Sequence, residues 1–387
     1  VLVKINKEIE KELEAKYRET SGWEPLLELC WCYLQDGKIC QGIGMARKLE
    51  GILPREKTAE YKGLLAKLYV EQAEYEDSVA MTKEWERALE EKIGQENDTE
   101  SGEEKKDRDR LRQAHLIRMQ CYHNLGFKDK EYFSLALREA DHVLTGSVRD
   151  AGILLEIAQI YLEMEEYEKS LETAQKLVDE YQIFAAYASS MEVYRRLLDA
   201  SGVVRMAGQS LRYFPNFSKA YEYLAKVYLD LDRKEELEKV LEDAKKNGVK
   251  SAILEAYAFQ MSHEPIETGV LNGKLKEFRK EYLGPVEEGA LDFYEKGLPV
   301  VTEYLYYYPD DFMLVERAIF HRAAHHYEEA LQDFEKALYV NPVNPYALNG
   351  LSFVYKYRGD YERALFFIKK AILYMDRDMS AIIYTDM

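Results

Sequence analysis

Residues 325–372 read HHYEEALQDFEKALYVNPVNPYALNGLSFVYKYRGDYERALFFIKKAI, which is nearly one phrase given twice. Placing Ala330 on Ala364 offsets the copies by 34 residues; Tyr327 then falls on Tyr361, Phe334 on Ile368 and Ala337 on Ala371. Upstream, His321 falls on Tyr355 and Ala318 on Ser352. The matches recur at helical spacing on two helices per unit. Leu348, Leu351, Ser352 and Tyr355 share a face of the first helix, and Ala364, Ile368 and Ala371 a face of the second. Small residues at fixed places let two helices approach closely, and an aromatic ring fills the space beside them. Gly359 and Asp360 supply the turn within a unit, while Pro342 and Pro345 break the chain between units.

The tyrosine of the first helix carries this register towards the N-terminus. Tyr33, Tyr69, Tyr122, Tyr161, Tyr194 and Tyr228 follow at spacings of 36, 53, 39, 33 and 34 residues. A gap of 93 residues then separates Tyr228 from His321, which holds the same position. The 53-residue spacing contains GQENDTESGEEKKDRDR (94–110), which lacks apolar periodicity and predicts a flexible charged loop. The long gap, residues 251–310, predicts degenerate helices: one before a break at 264–269, one stopped at Gly284–Pro285, and a pair or a kinked helix around Pro299.

This pattern resembles the tetratricopeptide repeat, a 34-residue helix–turn–helix unit. Leu314, Ala318, Ala330, Phe334, Ala337 and Pro342 stand where that family has its large, small and proline positions. The resemblance implies an all-α fold: a right-handed superhelix (an α-solenoid) of about eight to ten helix pairs with an irregular interruption. The expected organisation is a connector helix (1–22), repeats over 23–250, a seam of degenerate repeats over 251–310, and two well-formed repeats plus a tail over 311–387. It also implies a non-enzymatic scaffold that binds a peptide or partner segment in a concave groove lined by first helices. The groove candidates are Trp31, Lys67, Lys226, Asn349, Phe353 and Lys356, with Leu27, Gln159, Glu192 and Ile319 facing the same way. The clamp of lysines, asparagines and arginine with which some members grip a terminal carboxylate has no counterpart at these positions.

Composition narrows the partners. The 387 residues include 71 acidic and 53 basic ones, a net charge of −18, which repels phosphate backbones and anionic lipids. Nucleic acid and membrane are thereby disfavoured, and a neutral or basic protein or peptide is favoured. With 31 Tyr and only 9 Pro, the chain suits helices with a recurring aromatic position. Cys30, Cys32, Cys40 and Cys121 are too few for a disulfide framework and fit reduced thiols in the cytoplasm. No apolar run reaches the roughly 18 residues of a membrane span, and VLVKINKEIEKELEAKY (1–17) has no signal-peptide core. Its lack of an initiator Met predicts a piece of a longer chain, so the array could be the partner-binding arm of a regulatory or co-chaperone protein. The apolar tail residues Ile382, Ile383 and Tyr384 offer a contact for a homodimer.

Catalytic and metal readings are weak by comparison. His321, His325 and His326 have helical spacing, but one replaces the packing Tyr and the others belong to the turn, with no fixed third ligand. Cys30 and Cys32 diverge on one helix, and Gly42 of QGIGMARK (41–48) reads as a close-packing residue rather than part of a phosphate loop. An enzymatic site in 251–310 would have His263, Glu264 and Glu267 to draw on, without any catalytic spacing. No cofactor and no metal are expected.

Overall fold

The computed structural model describes residues 2–94, 102–144, 150–264, 266–281 and 290–375. Among these the regular structure is helical, apart from a 3-10 turn at Arg55–Lys57. The chain divides into two compact units, residues 1–149 with 355–387, and residues 150–354. The first begins with α1 (Leu2–Thr20), α2 (Trp23–Gln35), α3 (Ile39–Leu49), α4 (Thr58–Glu71), α5 (Tyr75–Ile93), α6 (Gly102–Gly126) and α7 (Glu131–Val143). The second holds three regular pairs: α8 (Ala151–Glu163) with α9 (Tyr167–Tyr181), α10 (Phe184–Arg196) with α11 (Ala200–Tyr213), and α12 (Ser218–Asp230) with α13 (Lys234–Lys246). After α14 (Ala252–Ser262), α15 (Thr268–Glu281) and α16 (Ala290–Tyr307) come α17 (Asp311–Ala323), α18 (Tyr327–Val340) and α19 (Pro345–Tyr357). The last helix, α20 (Tyr361–Tyr374), belongs to unit 1.

The tyrosine register has a backbone cause. Four residues after each register position the chain turns left-handed, at Gly37, Ala73, Glu165, Leu198, Asp232, His325 and Gly359. One residue later an N–H returns to the register carbonyl: Lys38 to Tyr33, Glu74 to Tyr69, Glu166 to Tyr161, Asp199 to Tyr194, Arg233 to Tyr228, His326 to His321 and Asp360 to Tyr355, each at 2.8 or 2.9 Å. This is the six-residue hydrogen bond that closes a helix whose last carbonyls would otherwise be orphaned. Each first helix therefore ends in the same way and sends its partner back antiparallel. The register side chains are packing residues: Tyr33, Tyr122 and Tyr355 are buried, and the Tyr194 ring covers Gly202. Tyr122 is the exception in backbone, because α6 runs on to Gly126 without the turn.

Two expectations need correction. Of the loop predicted over 94–110, residues 102–110 are the first turns of α6, and 95–101 lie outside the described residues. Asp107 in this segment is buried, accepting from Lys92 Nζ at 2.6 Å and Arg110 Nη1 at 2.8 Å. One buried acid held by ion pairs leaves no apolar periodicity, so the loop reading missed the helix. The second concerns the residues around Pro299, where the helical pair does not form and the single-helix alternative holds, Pro299 sitting inside one α16. The proposed stop at Gly284–Pro285 and the tail at Ile382, Ile383 and Tyr384 lie outside the described residues.

α20 docks on the N-terminal pairs within unit 1: Glu362 accepts the Cys40 N–H at the start of α3 (3.0 and 3.1 Å to its two oxygens), and Lys369 pairs with Glu74. Tyr374 OH donates to Asn124 Oδ1 at 2.9 Å. A carboxylate over a helix start satisfies exposed N–H groups and complements the helix dipole. In unit 2 the core runs through Tyr187, Met191, Met206, Tyr221, Leu224 and Leu237. The start of α19 is fixed by Asn344, whose Oδ1 accepts from the N–H of Tyr346 (2.9 Å) and Ala347 (3.0 Å).

Candidate functional site

Unit 2 encloses a hollow of about 490 Å³ among α12, α14, α16, α17 and α18. Its floor is apolar, formed by Ala252, Ile253, Ala256, Leu305, Leu314 and Val340. One wall is a hydrogen-bonded knot around Glu222, whose carboxylate is buried. Glu222 Oε1 accepts from Ser218 Oγ (2.9 Å) and Ser251 Oγ (2.6 Å), and Oε2 from Tyr339 OH (3.1 Å). Ser251 is also the N-cap of α14, accepting from Leu254 N–H, so the knot positions that helix. Burial and the Glu222 charge push the Tyr339 phenol well above its ordinary range, which keeps it a donor. Lys219 lies 4.3 Å from the Tyr339 ring centre. On the far side, Arg317 grips the buried Asp333 with two hydrogen bonds (2.7 and 2.9 Å), and Lys336 adds a third at 3.3 Å. Glu222 and Arg317 are thus held by their neighbours, while Lys250, Glu255 and Thr302 also line the hollow beside its apolar residues.

Unit 1 brings two groove candidates together. Lys67 of α4 places its ammonium 5.2 Å from the Trp31 ring on α2 and 5.9 Å from the Trp85 ring on α5. It donates to Gln113 Oε1 on α6 at 3.2 Å. Burial, helped by the Arg110 charge, draws its pKa below the usual lysine value. Other candidates are differently placed. Lys226 pairs with Asp230 on its own helix. Phe353 is 38% exposed beneath the Arg322 guanidinium, 4.6 Å from the ring centre. Asn349 is half-buried on α19, and Lys356 is exposed near its end, within the stretch assigned to unit 1. The hollow itself went unread in the sequence, since its lining is spread from Ser218 to Val340 with no spacing to betray it.

Glu192 is held by a network of its own. Its carboxylate accepts from Arg195 (2.6 and 2.8 Å), Arg196 (3.0 Å) and Tyr223 OH (2.6 Å). Burial raises its pKa, but the hydrogen bonds from Arg195 and Tyr223 and the Arg195 charge outweigh it and hold the group at about 2, against an ordinary 4.5. A folded-state value below the unfolded one gives stability that is present above the unfolded pKa and lost as pH falls towards the folded one. The size is about 3 kcal/mol. Urea unfolding from neutral pH down to about 3 should show this loss in the wild type and a flatter profile in Glu192→Gln.

The groups weighed for chemistry are also accounted for. His321 Nε2 lies 3.7 Å from Asp333 Oδ2, and burial pulls its pKa down. His325 makes a 2.9 Å contact with Tyr327 OH, and the His326 ring packs against Tyr294. Among the described residues no group of His, Cys, Asp and Glu could hold a metal ion. Burial pushes the Cys30 thiol up to about 12 and, aided by Glu362, the Cys40 thiol to about 11, so both are poor nucleophiles. Gly42 is a close-packing residue: a Cβ there would meet Leu68 at 2.8 Å. His263 stacks on Phe259 with ring centres 3.7 Å apart. Asp310, its carboxyl raised by burial, caps α17 through the Met313 N–H. No described helix is long and apolar enough to cross a membrane.

No protein-family model and no curated protein matches the chain. Solved structures do. YrrB, described as a TPR protein with an unusual peptide-binding site, is 16% identical over 56% of this chain and 100% of its own, with a TM-score of 0.23. Yeast Tom70 is 14% identical over 99% of this chain and 92% of its own (TM-score 0.32). The TPR domain of P58(IPK) is 16% identical over 92% and 97% (TM-score 0.26). The chain's own repeating turns and close-packed helix pairs make it an all-α array of antiparallel helix pairs. In this array the regular pairs hold the register, and the hollow falls where α14–α16 depart from it.

Proposed function

We propose that the chain is a non-enzymatic cytoplasmic scaffold that binds a segment of a protein partner. The hollow of unit 2 is the principal seat, and the first-helix face of unit 1 at Trp31 and Lys67 is a second contact. The observation that carries this reading is the hollow itself: a mostly apolar lining beside Glu222 and Arg317, both already held by hydrogen bonds from or to their neighbours. Groups already held in this way lose few water contacts when an apolar side chain displaces water from the apolar part of the lining. Glu222 is held by Ser218, Ser251 and Tyr339, and Arg317 by Asp333, so these charged groups are engaged in structural contacts. The groove contacts at Lys226, Asn349, Phe353 and Lys356 remain part of the proposal as first-helix positions outside the hollow's lining. The net charge of −18 favours a segment that is neutral or basic overall.

Peptide display tests this. Selection of random heptapeptides on the wild type should enrich sequences with a large apolar residue. Those sequences should lose binding to Ile253→Trp, which fills the floor, provided that variant matches the wild type in helicity and unfolding midpoint. Enriched peptides indifferent to Ile253→Trp would remove the hollow from the account.

A further inference from the structure

Lys67 is built differently from the other half-buried lysines of its unit. Lys38 pairs with Glu10, Lys62 with Glu84, Lys92 with Asp107 and Lys369 with Glu74. Lys67 has no carboxylate within ion-pair distance among the described residues; its partners are the faces of Trp31 and Trp85 and the amide oxygen of Gln113. The charge that bears on it is that of a second cation, Arg110, which together with burial lowers its pKa. Arg110 is itself held by Asp107, which Lys92 shares, so little negative charge is left over for Lys67. Lys370 also sits among rings, but those of Phe366 and Tyr374 lie on its own helix, where a long stem covers its neighbours in any case. The groups around Lys67 come from three other helices, α2, α5 and α6, which is a preformed arrangement. In a chain with 18 more acidic than basic residues, this is a local excess of positive charge.

A half-buried ammonium held by rings and an amide has given up part of its hydration without gaining a counter-charge. A carboxylate arriving from outside would supply it, and would relieve the repulsion from Arg110. The indole of Trp31 beside it is a flat apolar surface for whatever flanks that carboxylate. We infer that the Lys67 face of unit 1 binds the side-chain carboxylate of an acidic residue flanked by apolar residues in the partner segment. This rests on the partner-segment reading above and supplies its specificity: the segment is neutral or basic overall and carries one acid for Lys67. The acid is a side chain rather than a chain terminus, since the positions around Lys67 do not repeat a terminal clamp.

The test uses blocked peptides, acetylated and amidated so that no terminal charge remains. The probe is Lys-Leu-Leu-Glu-Leu-Leu-Lys and its counterpart with Gln in place of Glu, titrated calorimetrically into the full chain. The Glu peptide should bind at least about tenfold more tightly than the Gln peptide, with the difference shrinking at high salt. Lys67→Met should abolish the difference, and Lys67→Arg should keep most of it. Equal binding of the two peptides, an undiminished preference in Lys67→Met, or no binding of either would each overturn the inference. The wider reading is separated by the displayed peptides: if those still depend on Ile253 while the Glu preference is missing, the scaffold stands and the acid site falls.

Discussion

Replacing Arg118 with methionine is expected to destabilise unit 1 by about 3–5 kcal/mol, the size seen when one partner is removed from a buried ion network. The Arg118 side chain is 3% exposed and spans three helices. Its guanidinium reaches Glu86 of α5 at 2.5 Å and Glu139 of α7 at 3.0 Å, while His115 of α6 lies 2.7 Å from Glu139. Methionine would keep the apolar stem but leave two part-buried carboxylates without their cation. Burial raises the Glu139 carboxyl, and at present the hydrogen bonds and charges of His115 and Arg118 outweigh that and hold it low. The stabilisation it gives exists above its unfolded pKa and fades as pH falls. Hence the deficit of Arg118→Met, measured by urea unfolding, should be largest near neutrality and shrink in acid. A loss below about 1 kcal/mol, the size of an exposed pair, would mean that water already solvates the network.

Gly350→Ala should cost unit 2 about 2–3 kcal/mol, although alanine is ordinarily the better helix residue. A Cβ at Gly350 would lie 2.2 Å from the ring tip of Phe334, a ring with no exposed surface and no room to yield. The contrast is Gly208 on α11, where a Cβ meets nothing within 4 Å. There the same change should stabilise by about 0.5–1 kcal/mol through helix propensity and a less free unfolded chain. Opposite signs at two helical glycines identify close approach as the cause. Changes of the same sign would show that Phe334 can move aside. Gly63 under Trp85 and Gly126 under Phe133 use the same device, pairing a vacant Cβ with a ring from the returning helix.

These glycines and tyrosines are why so much of the fold could be read from the chain. The register Tyr, the left-handed residue four places on and the hydrogen bond one place later are all local, so their spacing survives in sequence. What depended on distant polar partners did not survive. Asp107 is buried by Lys92 and Arg110, so residues that looked like a solvated loop form a helix. α20 belongs to unit 1 because Glu362 caps α3 and Lys369 meets Glu74, contacts that leave no period to find. Of the site, Trp31 and Lys67 were legible because first-helix positions one repeat apart stack. Lys226 was legible as a position but not as a partner of Asp230. The hollow was invisible, because Ser218, Ser251 and Tyr339 converge on Glu222 only in three dimensions.

The central claim is that a partner's segment sits in the hollow of unit 2. Amide hydrogen exchange of the wild-type chain, with and without a display-selected heptapeptide, tests it most directly. The account predicts slowed exchange at the start of α14, around Ser251–Ala256, and at the end of α18, around Lys336–Val340, with little change on α9 and α11. Protection confined to α9 and α11, with the hollow's helices exchanging as before, would contradict it.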